Sequence, residues 1–189
     1  MTEQADSILI QRCKVRDKDA YRLLVERYKK QAYGFAFSYL KNVDDAYTIS
    51  QESFIRAWNA IGKFEDGRNF RSWLLSIVKH LSLNLILKKK RLREISLENA
   101  MEESGFDIAD NSNDPLETLE KNEQRREVWT AVMKLKEEFR EIIILKHFND
   151  LSYREISETL DIPEGTVMSR LYHARLVLKE NLVQVMKRG

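Results

Sequence analysis

Between Gly62 and Lys79 the chain gathers Lys63, Phe64, Arg68, Phe70, Arg71 and Trp73, with Lys79 beyond them. Aromatic faces stack unpaired bases while Lys and Arg neutralise phosphates, so this mixture suits single-stranded nucleic acid better than a sealed duplex. Phe64 sits in a loop flanked by Gly62 and Gly67 and is the ring expected to be exposed. Phe70 and Trp73 recur at helical spacing with Leu74, Ile77 and Val78, which fits a packed core equally well. Further on, Lys88-Lys89-Lys90-Arg91-Leu92-Arg93 crowds like charges that repel unless a polyanion or solvent separates them. A phosphate contact and a solvated helix end both fit that run.

A second grouping lies near the C-terminus. Ser152 with Glu155 three residues later has the spacing of a capping box, and it opens a short helix carrying Ile156 and Leu160. Asp161-Ile162-Pro163 forms a turn, and Pro163 suits the start of a last helix whose buried stripe is Val167, Leu171, Ala174, Leu178 and Leu182. Thr166, Met168, Ser169, Arg170, Tyr172 and His173 fall off that stripe. The pair has the plan of a helix-turn-helix whose second helix enters a major groove, a plan it shares with plain helical hairpins.

No phosphate-cradling glycine loop, nucleophile with an adjacent base, or paired carboxylates emerge, so the sequence does not read as an enzyme. Cys13 is the single cysteine and His80, His147 and His173 are scattered, so neither an internal disulfide nor a metal-ligand spacing is present. No cofactor is expected, and Cys13 reads as a small buried hydrophobe. No apolar run reaches the roughly 20 residues of a membrane span, and the N-terminus is too polar for a signal peptide, so a cytoplasmic protein without membrane insertion is expected.

The elements that position these groups are helical. Two prolines and six glycines are few for a turn-rich β architecture. Leu24, Tyr28, Ala32, Phe35 and Tyr39 mark a first helix, and Ala46, Ile49, Ser53, Phe54, Ala57 and Ile61 a second. Phe70 to Leu85 marks a third, which ends in the basic run. Apolar spacing resumes at Val128, Trp129, Val132, Met133 and Leu135, and again from Phe139 to Phe148. Net charge is +9 over residues 1–93, −8 over 94–127 and +1 over 128–189. The expected fold is all-α: two helical domains, residues 1–93 and 125–189, joined by a flexible acidic linker at 94–124.

Three segments, in order, carry a resemblance. Asp45-Ala-Tyr-Thr-Ile-Ser-Gln-Glu-Ser-Phe-Ile-Arg-Ala-Trp58, Phe70-Arg-Ser-Trp-Leu74 and Pro163-Glu-Gly-Thr-Val-Met-Ser-Arg-Leu-Tyr-His-Ala-Arg175 resemble extracytoplasmic-function sigma factors. The resemblance implies a sigma region 2 bundle and a sigma region 4 helix-turn-helix. It further implies that the helix with Asp45, Thr48, Gln51, Glu52 and Arg56 docks on the clamp helices of the largest subunit of RNA polymerase core.

By the same resemblance, the melted minus-ten element of promoter DNA would meet Lys63, Phe64, Arg68, Asn69, Phe70, Arg71, Lys79, His80, Asn84, Lys88 and Arg91. The minus-thirty-five duplex would meet Thr166, Met168, Ser169, Arg170, Tyr172, His173 and Arg175, with Arg170 and Arg175 serving phosphates or the fold. An anti-sigma factor is the further implied partner. A linker of about 30 residues at roughly 3.3 Å each reaches on the order of 100 Å, enough to span two promoter elements.

The chain also departs from the family's pattern. Tyr47 and Thr48 stand where acidic residues are usual, His80 and Asn84 replace Asn and Asp, and Met168 and His173 replace basic residues. A distinct promoter sequence is the expectation. Two other classes remain open on the residues alone: a stand-alone duplex-binding regulator with a sensing first domain, and a helical interaction protein whose charge blocks are only surface.

Overall fold

The computed structural model describes residues 5–99 and 123–186. Every regular element among them is helical. Helix α1 (Asp6–Lys14) precedes α2 (Lys18–Leu40), α3 (Val43–Ala60), a 3-10 turn (Ile61–Lys63) and α4 (Phe70–Asn99). The second half holds α5 (Glu123–Met133), α6 (Glu137–Ile143), a π-type turn (Ile144–Phe148), α7 (Tyr153–Leu160) and α8 (Glu164–Met186).

Local chemistry starts and stops these helices. The Asp17 carboxylate caps α2 by accepting from the amides of Asp19 at 2.9 Å and Ala20 at 3.1 Å. Asn42 caps α3 through Asp45 N–H at 2.9 Å, and Asp44 and Asp45 sit at the positive end of its dipole. Between α2 and α3, Lys41 adopts a left-handed conformation that ends one helix and re-aims the chain.

The apolar positions expected for α2 and α3 are buried: Leu24, Tyr28, Ala32, Phe35 and Tyr39 pack against Ala46, Ile49, Phe54 and Ala57. Phe70, Leu74, Val78 and Leu81 of α4 close this bundle, while Trp73, Ile77 and Leu85 lie half-buried at its margin. Each fully buried Leu or Phe contributes about 1.5–3 kcal/mol relative to exposure. Helix α1 was not foreseen; it seats Leu9, Ile10 and Cys13 in the same core.

In the second domain α5, α6 and α7 pack around α8. Trp129, Val132, Leu135, Ile142, Ile143, Leu145, Ile156, Leu160, Val167, Leu171 and Ala174 form its core. Leu178 and Leu182 are only half-buried, because the neighbouring helices cover less of the later part of α8. Phe148, expected on the buried stripe, is exposed and meets Trp129 edge-on at 5.5 Å. The wide turn from Ile144 shifts the helical phase there and swings this last ring outward. Ser152 and Glu155 form the expected capping box in full, the Ser152 hydroxyl accepting from Glu155 N–H at 3.2 Å and the Glu155 carboxylate from Ser152 N–H at 2.7 Å.

Helix α4 runs past the basic run to Asn99, through the first residues expected to be linker. The remainder of the expected linker up to residue 122 lies outside the described residues.

Candidate nucleic-acid interface

The loop before α4 is built from two anchors. Phe64 is 5% exposed, with its ring 6.0 Å from Phe70 and 4.9 Å from Trp73. The expectation of an exposed Phe64 is therefore corrected: the 3-10 turn at Ile61–Lys63 folds the ring back under the loop, where aromatic burial outweighs glycine-lent mobility. At the other end, Asn69 caps α4 by accepting from Ser72 N–H at 3.1 Å. Between these anchors Gly67 takes φ +85, a conformation open to glycine without the strain of a Cβ. Lys63, Arg68 and Asn69 are exposed on this loop, while Phe70 is buried below it.

Along α4 the polar positions form a strip. Arg71 and Lys79 are half-buried, and His80, Asn84, Lys88 and Arg91 are exposed. The strip is occupied by the second domain. The Arg71 guanidinium donates to the Asn149 carbonyl and lies over the Tyr28 ring at 5.5 Å. The Lys79 ammonium donates to the Leu160 carbonyl at 2.8 Å, at the negative end of α7. Arg68 approaches Glu158 at 3.9 Å, and the Thr159 hydroxyl donates to the Ser72 carbonyl at 3.3 Å. Carbonyl and carboxylate oxygens of the second domain thus face these basic side chains. Sequence periodicity carries no signal for this, since both faces of α7 look ordinary by themselves.

A buried joint completes the contact. Tyr39 of α2 donates its hydroxyl to the Glu141 carboxylate of α6, and both residues are nearly fully buried. Burial pushes Glu141 above the usual carboxylate range, opposed by the Tyr39 hydrogen bond and by the charges of Lys79 and Arg170. Arg170 lies 3.7 Å from Glu141 and 3.8 Å from Glu138, so it is committed to holding α8 against α6.

The remaining α8 positions singled out from the sequence point outward. Met168, Ser169, Tyr172, His173 and Arg175 are exposed and Thr166 is half-buried. Thr166, Ser169 and His173 follow one another at three- and four-residue steps, as do Met168, Tyr172 and Arg175, so they form two rows on the side of α8 away from Val167, Leu171 and Ala174. Arg175 also reaches His147 at 3.4 Å, where burial, then the Arg175 charge, hold the imidazole below its ordinary value.

On α3, Thr48, Gln51 and Arg56 are exposed and Glu52 pairs with Arg56 at 2.8 Å. Asp45 is half-buried and pairs with Lys89, which ties the basic end of α4 to this helix. Two apolar residues join this surface, Tyr47 and Ile55, each more than half exposed. A shallow cavity of about 280 Å³ opens beside Ile55, lined by Lys18, Tyr21, Phe54 and Trp58. Ile55 was not singled out from the sequence, although its position one helical turn from Gln51 places it on the same face.

A basic loop-and-helix strip in one domain and a helix-turn-helix with an exposed polar face in the other define a two-domain helical protein with the plan of a DNA-binding protein. Family models narrow this class: Sigma-70 region 2 matches residues 24–92, and Sigma-70, region 4 matches residues 125–178. The chain is 34% identical to the ECF RNA polymerase sigma factor SigW of Bacillus subtilis (strain 168) over 176 residues, covering 92% of this chain and 94% of the relative. It is 32% identical over 193 residues to the ECF RNA polymerase sigma-E factor of Salmonella typhimurium (strain LT2), covering the whole of both.

Two solved structures share the fold. CnrH in complex with the cytosolic domain of CnrY has a TM-score of 0.68 at 24% identity, covering 96% of this chain and 99% of that one. The sigma factor RpoE in complex with the anti-sigma factor NepR from Bartonella quintana has a TM-score of 0.62 at 24% identity, covering 88% and 98%. The protein belongs to the extracytoplasmic-function sigma factors and is a promoter-recognising RNA polymerase sigma factor, a transcription initiation factor. Among the described residues no helix is long and apolar enough to cross a membrane.

Proposed function

We propose that residues 1–93 engage core polymerase and the melted minus-ten strand, that 94–124 link the domains, and that 125–189 read the minus-thirty-five duplex. Arg68, Arg71 and Lys79, aligned along one loop and helix, carry this reading. Phosphates of a single strand replace the carbonyl and carboxylate oxygens that now hold them. Lys63, Asn69, His80, Asn84, Lys88 and Arg91 extend the track, with Phe64 and Phe70 supporting its floor. Thr166, Met168, Ser169, Tyr172 and His173 face the major groove, Arg175 reaches a phosphate, and Arg170 serves the fold.

Strand binding requires the domains to move apart, and the polymerase surface supplies the energy by holding them separately. Thr48, Gln51, Glu52 and Arg56, with Tyr47 and Ile55, form the docking face on the clamp helices, and Asp45 shapes its edge. The protein works in the cytoplasm and catalyses nothing itself. An anti-sigma factor sequesters it by covering its polymerase- and DNA-binding faces, the exposed Tyr47 and Ile55 among them.

The test is run-off transcription with core polymerase, with and without the protein, on pooled promoters and with sequenced 5′ ends. New starts sharing upstream elements near minus ten and minus thirty-five are expected. Duplex binding without core and no new starts would instead identify a stand-alone regulator.

A further inference from the structure

Helix α1 lies before the span matched by the region 2 family model, which begins at residue 24. Its packing is nonetheless firm. Leu9 and Cys13 are fully buried, and Asp6 accepts hydrogen bonds from both Arg27 and Tyr28 of α2. From this fixed base two side chains reach the loop before α4. The Lys14 ammonium and the Gln11 amide each donate to the same Asp66 carboxylate oxygen, both at 2.7 Å.

Among the described residues no other side-chain hydrogen bond or ion pair ties the loop's outer span to its own domain. Glu65 and Gly67 are exposed, and Arg68 reaches Glu65 and, across the domain boundary, Glu158. Phe64 and Asn69 fix the ends of the loop, Gly67 bends it, and among the described residues Asp66 ties its middle to α1. Beside the tie lies a cavity of about 660 Å³ whose walls are α1 on one side, the loop on another and α7 on the third. Asp66 is 64% exposed and Lys14 22%. Exposed pairs of this kind add little to folding stability, so the contact is placed to shape the loop more than to hold the fold.

We propose that Lys14 and Gln11 of α1 are positioning residues which, through Asp66, set the loop between Phe64 and Asn69 in the geometry that discriminates bases of the melted minus-ten strand. This rests on the assignment of that loop to the single strand. Lys14 and Gln11 touch no base; they act by restricting where Arg68 and the loop backbone stand when the strand arrives. A loop held in one geometry selects by shape, whereas a loop free to adjust accepts several bases at similar cost.

The experiment uses holoenzyme, this protein with core polymerase, and non-template-strand oligonucleotides spanning the minus-ten element with one base changed at a time. Each variant is measured for core affinity, thermal unfolding and affinity for every oligonucleotide. Lys14→Met keeps the aliphatic stem and removes the charged donor of the tie, leaving only Gln11; Asp66→Ala removes the acceptor that both donors share. Both are expected to reduce discrimination at one or two base positions by about threefold, the scale of an exposed ion pair, with core affinity and unfolding unchanged. The exchange Lys14→Asp with Asp66→Lys is expected to restore discrimination, since it rebuilds the pair with its charges reversed.

Two results overturn the proposal. Unchanged discrimination in both single variants would make the tie ornamental. An equal loss for all oligonucleotides, not rescued by the exchange, would make Lys14 a direct phosphate contact. If unmodified holoenzyme itself fails to discriminate among the oligonucleotides, the assignment of the loop fails first and the proposal falls with it.

Discussion

Replacing Tyr39 by Phe isolates the buried joint between the two domains. The ring stays, including its edge contact with Phe35 at 5.3 Å, and only the hydroxyl that serves Glu141 is lost. Glu141 then keeps Arg170 at 3.7 Å as its nearest charge partner, but nothing replaces the donor supplied by the first domain. A hydrogen bond to a charged acceptor is worth about 1.5–3 kcal/mol, so docking of the domains weakens by one to two powers of ten. Energy transfer between dyes at Lys30→Cys and Lys179→Cys, two exposed positions, reads domain separation directly. Cys13 is buried and stays unlabelled. The urea midpoint for loss of the docked distance is expected to fall in Tyr39→Phe, ahead of unfolding of either domain. A midpoint identical to that of the parent protein would refute the claim that this hydroxyl holds the domains together.

Acid should tighten the same joint. Glu141 is raised by burial in the docked state, and Tyr39, Lys79, Arg170 and Glu137 are the groups acting on it there. A raised carboxyl binds its proton more tightly when docked, so docking is strongest below the ordinary carboxylate range and weakens as pH rises through the docked value. Glu141→Gln should flatten that profile in the same energy-transfer assay. The thiol of Cys13, pushed up to about 11 mainly by burial, should resist alkylation at neutral pH until the protein is denatured; prompt labelling of the native protein would contradict its burial. Ser152→Ala removes half of the α7 capping box and should cost about 1 kcal/mol, seen as a lower denaturation midpoint of the second domain.

Much of the architecture is legible from spacing. The three- and four-residue steps of Leu24, Tyr28, Ala32, Phe35 and Tyr39 mark one side of a helix, and all five are buried, with Ala20, Ala36, Phe37 and Ser38 buried beside them. Ser152 and Glu155 gave the start of α7 because a capping box is a local hydrogen-bond pattern, complete within four residues. Helix α1 escaped because it spans only Asp6–Lys14, and among charged neighbours its Leu9, Ile10 and Cys13 make too short a stripe to stand out. Phe64 was misplaced for a related reason: flanking glycines mark where a chain can bend, not which way the ring falls once it bends.

The composition and order of residues by themselves determined helical class, two apolar units, an acidic stretch between them, and the motifs of a sigma factor. These are properties of neighbours in the chain, set by periodicity, capping and charge. Tertiary structure alone decided that Arg71 and Lys79 face carbonyls of the second domain, that Arg170 serves Glu138 and Glu141, and that Asp66 is held from α1. Each joins residues dozens of positions apart through the partners of polar groups, and a polar side chain's sequence neighbours do not say which distant atom will satisfy it.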